Sequence, residues 1–347
     1  MKVGFARTVA VEWVMQYARQ ENSFLGAYFS GSTVGMSPDD DLPESSDVDI
    51  VVVTVLDEPP LKLGKLFYLD TLLEVTYLSW NQLSSMENVL TSYHLAGSFR
   101  VDTIIADPSG RLRTLQSQVS QHFAEKVWVR RRCENAREKI ENWLRNLDTS
   151  APFYDQVTTW LFSAGVTTHV LLVAALRNPT VRLRYLAVRE VLMEYGHANF
   201  YASLIELLGC EHLTSQRAEE HLDELARTFD AAVAVAKTPF FFSTDISKVA
   251  RPIAIDGSRA LIRSGYHHEA VFWIVATFAR CHKILAADAP LELQRSHTPA
   301  FDDMIADLGI TSTHDLTRRA KEVIQFLPKL WEITEDIMSK NSGIVTK

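Results

Sequence analysis

The chain has 347 residues, 47% of them hydrophobic, and a formal net charge of −8, enough length for a sizeable core and for two domains. The acid excess disfavours a protein that works on nucleic acid, because phosphate neutralisation calls for a basic face; it suits a cationic or metal-bridged ligand better. The three cysteines, Cys133, Cys210 and Cys281, are widely spaced without a Cys-x-x-Cys pair, so they read as buried thiols in a reducing cytosol and not as a zinc site.

The N-terminal stretch MKVGFARTVAVEWVMQ carries charges, with Glu12 interrupting any apolar core, which is unlike a signal peptide. Instead, Val9, Val11, Val14, Met15 and Ala18 fall roughly on one face of a helix over residues 6–21. FLGAYFS reads as a strand ending at Gly31, and DVDIVVVTVL as a stronger one, rich in β-branched residues. DEPPLKLG is a turn, KLFYLD and LLEVTYLSW are strands or one bent strand, and NQLSSMENVLTSYHLAG is helical up to Gly97. FRVDTIIAD is a further strand, closed by DPSG.

After Gly110 the apolar residues recur at three and four as far as Leu330. The helical segments are RLRTLQSQVSQHFAEKV, RRRCENAREKIENWLRNL, FYDQVTTWLFSAGVTTHVLLVAALR, VRLRYLAVREVLMEYG and FYASLIELLG. SQRAEEHLDELARTFDAAVAVAK, DGSRALIRSGYHHEAVFWIVATFARCHKIL and THDLTRRAKEVIQFLPKLWEITEDIMS follow. The apolar runs HVLLVAAL and AVFWIVATFA are shorter than a membrane span. The expectation is a cytoplasmic α+β protein with no membrane segment. Residues 1–112 form a small mixed sheet flanked by helices, 113–340 an all-α bundle, and 341–347 a frayed tail.

Chemistry concentrates in FSGSTVGMSPDDDLPESSDVDIVVV, which holds six acids. Asp39 and Asp41 lie between prolines and among serines, in loop chemistry. Asp47 and Asp49 lead directly into a strand, where residues two apart share a face. Two carboxylates held so close are costly without a cation between them, and oxygen ligands suit Mg²⁺ or Mn²⁺. Upstream, Gly31 lets a phosphate approach the backbone, Ser32 offers a hydroxyl and an N–H, and Gly35 loosens the loop. Glu74 interrupts the apolar strand LLEVTYLS. Either it faces solvent on an alternating strand, or its strand lies beside that of Asp47 and Asp49 and it joins them as a third acid.

The order Gly-Ser, glycine-containing loop, Ser-Asp-x-Asp on a strand, then an acid on a later strand resembles the polymerase-β-type nucleotidyltransferase superfamily. With LEVTY, DTIIADPSGRLRTL and a helical domain behind, it is most similar to antibiotic adenylyltransferases of the streptomycin/spectinomycin type. The resemblance covers residues 24–115, with the helical part similar only in general character. It implies that an N-terminal nucleotidyltransferase domain binds ATP or another nucleoside triphosphate through Gly31, Ser32 and Ser46. Asp47 and Asp49 would bind Mg²⁺, two ions in all, and Glu74 would complete the set as metal ligand or as base toward an acceptor hydroxyl. The gap between Gly-Ser and Asp-x-Asp is about five residues longer than the family's, and loops absorb such insertions at small entropic cost. The extra acids Asp39, Asp40, Asp41 and Glu44 then face water near the site.

Weaker signals read structurally. Arg130 to Arg132, and Arg182, Arg184 and Arg189, are solvated helix starts; Lys283 is one of several bases that could reach phosphates; Pro239 to Phe242 pack between helices. His267, His268 and Glu269 form a polar cluster without the spacing of a helical metal pair. Three functions compete: transfer of NMP to a small-molecule hydroxyl, as on an aminoglycoside-like cation; nucleotidylation of a protein or tRNA; and nucleotide binding without catalysis.

Overall fold

Alternation in VDIVVVT decides which side of the sheet is packed and which is chemical. In the computed structural model, which describes residues 1–43 and 46–346, this is strand β2, Val48–Thr54, third of five in a mixed sheet. The others are β1, Phe24–Ser30, β3, Gly64–Tyr68, β4, Thr71–Ser79, and β5, Ile104–Ala106, and the order is β3-β4-β2-β1-β5. Only β2 and β4 run parallel. Val48, Ile50 and Val52, with Leu73 and Val75 of β4, face helix α1, Val3–Gln16, and bury Ala6, Ala10, Trp13 and Val14 against it. Each fully buried branched side chain contributes about 1.5–3 kcal/mol. Val51 and Val53 point the other way, onto α2, Met86–Thr91, and α3, Arg111–His122.

Leu112, Leu115 and Val119 of α3 belong to that second layer. The helix therefore packs with the sheet.

β3 and β4 are two strands, not one bent strand. Leu69 and Asp70 between them both take positive φ, 44° and 59°, the conformation of a tight hairpin turn that Asn-Gly usually announces. The stretch expected as one helix up to Gly97 is broken into a 3₁₀ turn, α2 with Ser85 as its cap, and a second 3₁₀ turn at Ala96–Phe99.

The acidic insertion folds back onto α1. Val3 and Gly4 donate backbone N–H groups to the carbonyls of Asp40 and Pro38 at 3.0 and 2.9 Å, satisfying donors that a helix start leaves open. Asp39, Asp40 and Asp41 are exposed, with Asp41 paired to Lys2 at 2.9 Å. The insertion thus caps a helix through Pro38 and Asp40, and its described acids do not join Asp47 and Asp49. Glu44 lies outside the described residues.

Nine helices follow among the described residues: α4 (Lys126–Arg145), α5 (Phe153–Ala174), α6 (Arg184–Glu194), α7 (Phe200–Leu208), α8 (Ser215–Val235), α9 (Gly257–Arg263), α10 (His267–Asp288), α11 (Leu291–Ala306) and α12 (Thr313–Lys340). Helices α4 and α12 pack along α5, α8 along α10, and α5 against α10. The segment expected as one helix from Asp256 divides into α9 and α10 at Gly265, whose φ is +84°. Helix α11 is an addition to the sequence reading; its apolar positions are sparse, with Phe301, Met304 and Ile305 buried, and Pro299 sits inside it. Helices α5 and α10 are each 22 residues, long and apolar enough to cross a membrane, and 83% of each apolar window is buried within the protein. Inside a bundle core such helices are apolar all round.

The tail is docked, not frayed, as far as Val345. Val345 exchanges backbone hydrogen bonds with Ala124 and Lys126 at 3.0 and 2.9 Å. All three cysteines are free and buried. Two arginines expected on solvated helix starts are core residues. Arg132 is 2% exposed and donates to the carbonyls of Leu90 and Phe123, and Arg184 is 1% exposed.

Burial pushes the imidazoles of His94 and His282 down to about 4, helped by Lys139 and by His297 respectively. Unfolded histidines take a proton below about 6.5. Between those values the unfolded state binds more protons, so stability is full above pH 6.5 and is lost as pH falls toward 4. His282 packs against Phe301 at 4.7 Å between ring centres. Replacing it, as His282→Leu, flattens the pH dependence by about 1.4 kcal/mol per pH unit in that window. Melting curves from pH 7 to 4.5 check this, and an unchanged slope would contradict it.

Candidate active site

Strand register aligns four polar side chains across the sheet. Ser30 of β1 is opposite Asp49 of β2, Asp49 opposite Glu74 of β4, and Glu74 opposite Lys65 of β3. Register partners share a face, so all four project away from α1. Asp47, two residues before Asp49, joins them. Carboxylate oxygens of Asp47, Asp49 and Glu74 lie within 4.8 Å of one another. The parallel pairing of β2 with β4 is what brings Glu74 to the Asp pair, so its solvent-facing alternative fails.

The charges are partly neutralised by the chain itself. Lys65 bonds both Asp47 and Glu74. Lys62 donates to Glu74 at 2.7 Å and to Asp245 at 3.2 Å, and Arg280 of α10 donates to Asp245 at 3.0 Å. Through Asp245 and Arg280 the helical part reaches the sheet. Arg280 is held among the ring faces of Phe162, Phe242 and Trp273. Arg182 lies near enough to Asp47 for the two charges to interact.

The three acids answer differently. Burial alone would raise Glu74, but Lys65 and Lys62 outweigh it and hold the carboxyl at about 2. Burial pushes Asp49 well above the usual range, and the charges of Asp47 and Glu74 add to the rise. Neither lysine bonds Asp49. Burial also raises Asp47, against the opposing charge of Lys65.

Gly31 ends β1 with φ +67° and ψ −154°. A Cβ there would overlap the carboxylate of Asp49, so only glycine leaves that space open. Ser32 follows, exposed, and begins a 3₁₀ turn running to Gly35, which needs no positive φ. Ser46 is partly exposed, with its N–H bonded to the carbonyl of Pro43 at 2.9 Å. The structure thus places Gly31 directly against the acids and Ser32 and Ser46 at the ends of the loop leading to them.

Beyond Gly31 and Asp49 a cavity of about 510 Å³ opens between the sheet and the helices, walled by Tyr93, Trp143 and Phe162 and by Lys139 and Arg184. A second chamber of about 320 Å³ holds Ser32 and Arg177, and the two meet at Asn178 and Pro179. Asn178 donates to the carbonyl of Gly31 at 3.4 Å.

Hard carboxylate oxygens on adjacent strands, one acid without a lysine of its own, and a side-chain-free space against it make a donor set that fits a divalent cation such as Mg²⁺. Lys62, Lys65, Asp245 and Arg280 were not singled out from the sequence. Lys65 had a signal, since it sits directly across a hairpin from Glu74; Asp245 and Arg280 arrive from remote segments and had none. Of the weaker candidates, Arg182 comes near Asp47 and Arg184 lines the cavity; others have partners of their own. Glu269 is buried and paired with Arg189 at 3.0 Å, and Lys283 is paired with Asp155 at 2.8 Å. Phe240 and Phe242 stack at 5.3 Å while Phe241 is exposed. No known family model matches the chain, and no curated protein matches it significantly.

Proposed function

We propose that the protein is a nucleotidyltransferase that moves NMP, AMP foremost, from a nucleoside triphosphate to a hydroxyl of a small molecule. The observation that carries this reading is the convergence of Asp47, Asp49 and Glu74 beside a glycine whose missing side chain opens onto Asp49. In such a reaction the acceptor oxygen bonds to the α-phosphorus, the bond to pyrophosphate breaks, and the hydroxyl proton passes to a carboxylate of the set. Mg²⁺ held by Asp47, Asp49 and Glu74 would neutralise charge on the transferring phosphate. Gly31 and the turn from Ser32 would lie along the phosphates, with backbone N–H groups as donors. Glu74, kept ionised by two lysines, is suited to holding charge rather than to accepting the proton. Lys62, Lys65 and Arg182 supply the cations that a triphosphate site needs.

The test is incubation with Mg²⁺, each nucleoside triphosphate and a panel of hydroxylated small molecules, aminocyclitols included. The expected product is an acceptor heavier by one NMP, with pyrophosphate released in equal amount. Label appearing on protein or tRNA in a lysate would move the acceptor to a macromolecule. No product, together with no rise in Tm from a non-hydrolysable Mg·NTP, would overturn the proposal.

A further inference from the structure

The 510 Å³ cavity carries an unusual charge balance. Arg184 lines it, 1% exposed, donating its Nε–H to the carbonyl of Val181 at 2.8 Å while Nη1 has no partner. No carboxylate pairs with this guanidinium among the described residues, and its charge is set against the ring of Phe272 at 3.8 Å. Burial lowers its pKa to about 9, which leaves it cationic at neutral pH. A buried charge without a counter-charge costs several kcal/mol unless something compensates it. The fold makes room for it, since a Cβ on Gly165 of α5 would lie 2.5 Å from Nη1.

Two more buried polar atoms, on residues that line the cavity, are unpartnered among the described residues. His169, 5% exposed, bonds the carbonyl of Thr180 through Nε2 at 2.9 Å, so Nε2 carries the proton and Nδ1 is left as an open acceptor. Asn178 leaves Oδ1 open. Lys139 stands over the ring of Tyr93 at 5.0 Å, with no acid bound to it among the described residues. Among the described residues Asp49 is the only acid lining the cavity.

We propose that this cavity takes the acceptor as a ring-bearing anion, its carboxylate or phosphate seated on Arg184 and Lys139 and its ring against Tyr93, Trp143 and Phe162. The proposal rests on the nucleotidyl-transfer reading and reverses the expectation of a cationic, aminoglycoside-like acceptor. Charge complementarity decides the sign: two cations, neither paired with a carboxylate among the described residues, repel a polyamine and favour an anion, and the aromatic walls take its ring. His169 Nδ1 takes a hydroxyl or N–H donor of the ligand, and Asp49 stands at the end where the reacting hydroxyl belongs. The triphosphate has its own place along Gly31 and Ser32, where the neighbouring chamber supplies Arg177.

The experiment is titration calorimetry on the full chain with non-hydrolysable Mg·ATP present, using phenyl phosphate, 4-hydroxybenzoate, 4-hydroxybenzylamine and streptomycin. The anions bind at least tenfold tighter than the amine and than streptomycin. Arg184→Met weakens the anions at least tenfold and leaves the affinity for the ATP analogue within twofold. Lys139→Met, on a half-buried and replaceable side chain, gives the same pattern should the Arg184 variant not fold. Equal or tighter binding of the amine overturns the proposal. So does a loss of ATP-analogue affinity matching the loss for the anions, which would make the cavity the nucleotide's own. Anion binding with no NMP transfer to any acceptor sinks the enzyme reading and leaves the anion site standing. Transfer to streptomycin with no anion binding does the reverse.

Discussion

On the proposed function, Asp49→Asn lowers kcat for nucleotidyl transfer by about a thousandfold or more, while the folded protein becomes more stable. The two effects have one cause. Asp49 is buried beside Asp47 and Glu74, its ionised form is disfavoured by all three circumstances, and neither Lys62 nor Lys65 bonds it. Asparagine keeps the shape and removes the repulsion. It also removes the one acid free to meet an incoming cation. Glu74→Gln is the control with the opposite stability sign. Its charge is matched by Lys62 and Lys65, so neutralising it takes one carboxylate from each ammonium, leaving Lys62 with Asp245 and Lys65 with Asp47, and costs about 3 kcal/mol. Both variants lose transfer; melting separates them, with Asp49→Asn above wild type and Glu74→Gln below. An Asp49→Asn protein that keeps a tenth of wild-type activity would show that the chemistry lies elsewhere.

The sheet and its acids were legible because their signals are local. VDIVVVT alternates, so Asp49 had to oppose Val48 and Ile50, and Gly-Ser marks the end of β1. Joining Glu74 to the pair required knowing that β4 lies parallel beside β2, and no pattern within either strand states that; the family resemblance supplied it as an expectation. The hairpin from β3 to β4 escaped because Leu69 and Asp70 hold left-handed backbone without a glycine. Without that turn, the match of Lys65 to Glu74 stays invisible. Arg132 and Arg184 were misjudged for a related reason. Composition says that arginines face water, whereas the carbonyl of Leu90 and the ring of Phe272, both distant in sequence, and the nearer carbonyl of Phe123 stabilise them inside. The acidic insertion does lie apart from Asp47 and Asp49, yet its job at the start of α1 depends on a fold-back that the sequence does not announce.

Lys65→Met turns the site from self-neutralised to cation-dependent. With the ammonium gone, Asp47 and Glu74 lose their shared partner, and Lys62 remains on one side of Glu74 only. Breaking a buried pair by removing one member costs about 3–5 kcal/mol, which in a chain of this size lowers Tm by roughly 10 °C. That deficit is expected in EDTA. Millimolar Mn²⁺ should restore most of it, because a cation bound only by the folded state stabilises that state. It should also bind the variant more tightly than wild type, since the carboxylates no longer give up Lys65 to receive it. Melting with EDTA and with Mn²⁺, and calorimetric Mn²⁺ titration of both proteins, measure the two parts. Equal Tm of the variant in EDTA and in Mn²⁺ would mean that Asp47, Asp49 and Glu74 serve the fold through their lysines and take no metal. A large Mn²⁺ rescue would instead make Lys65 the resident cation of a site built for a divalent one.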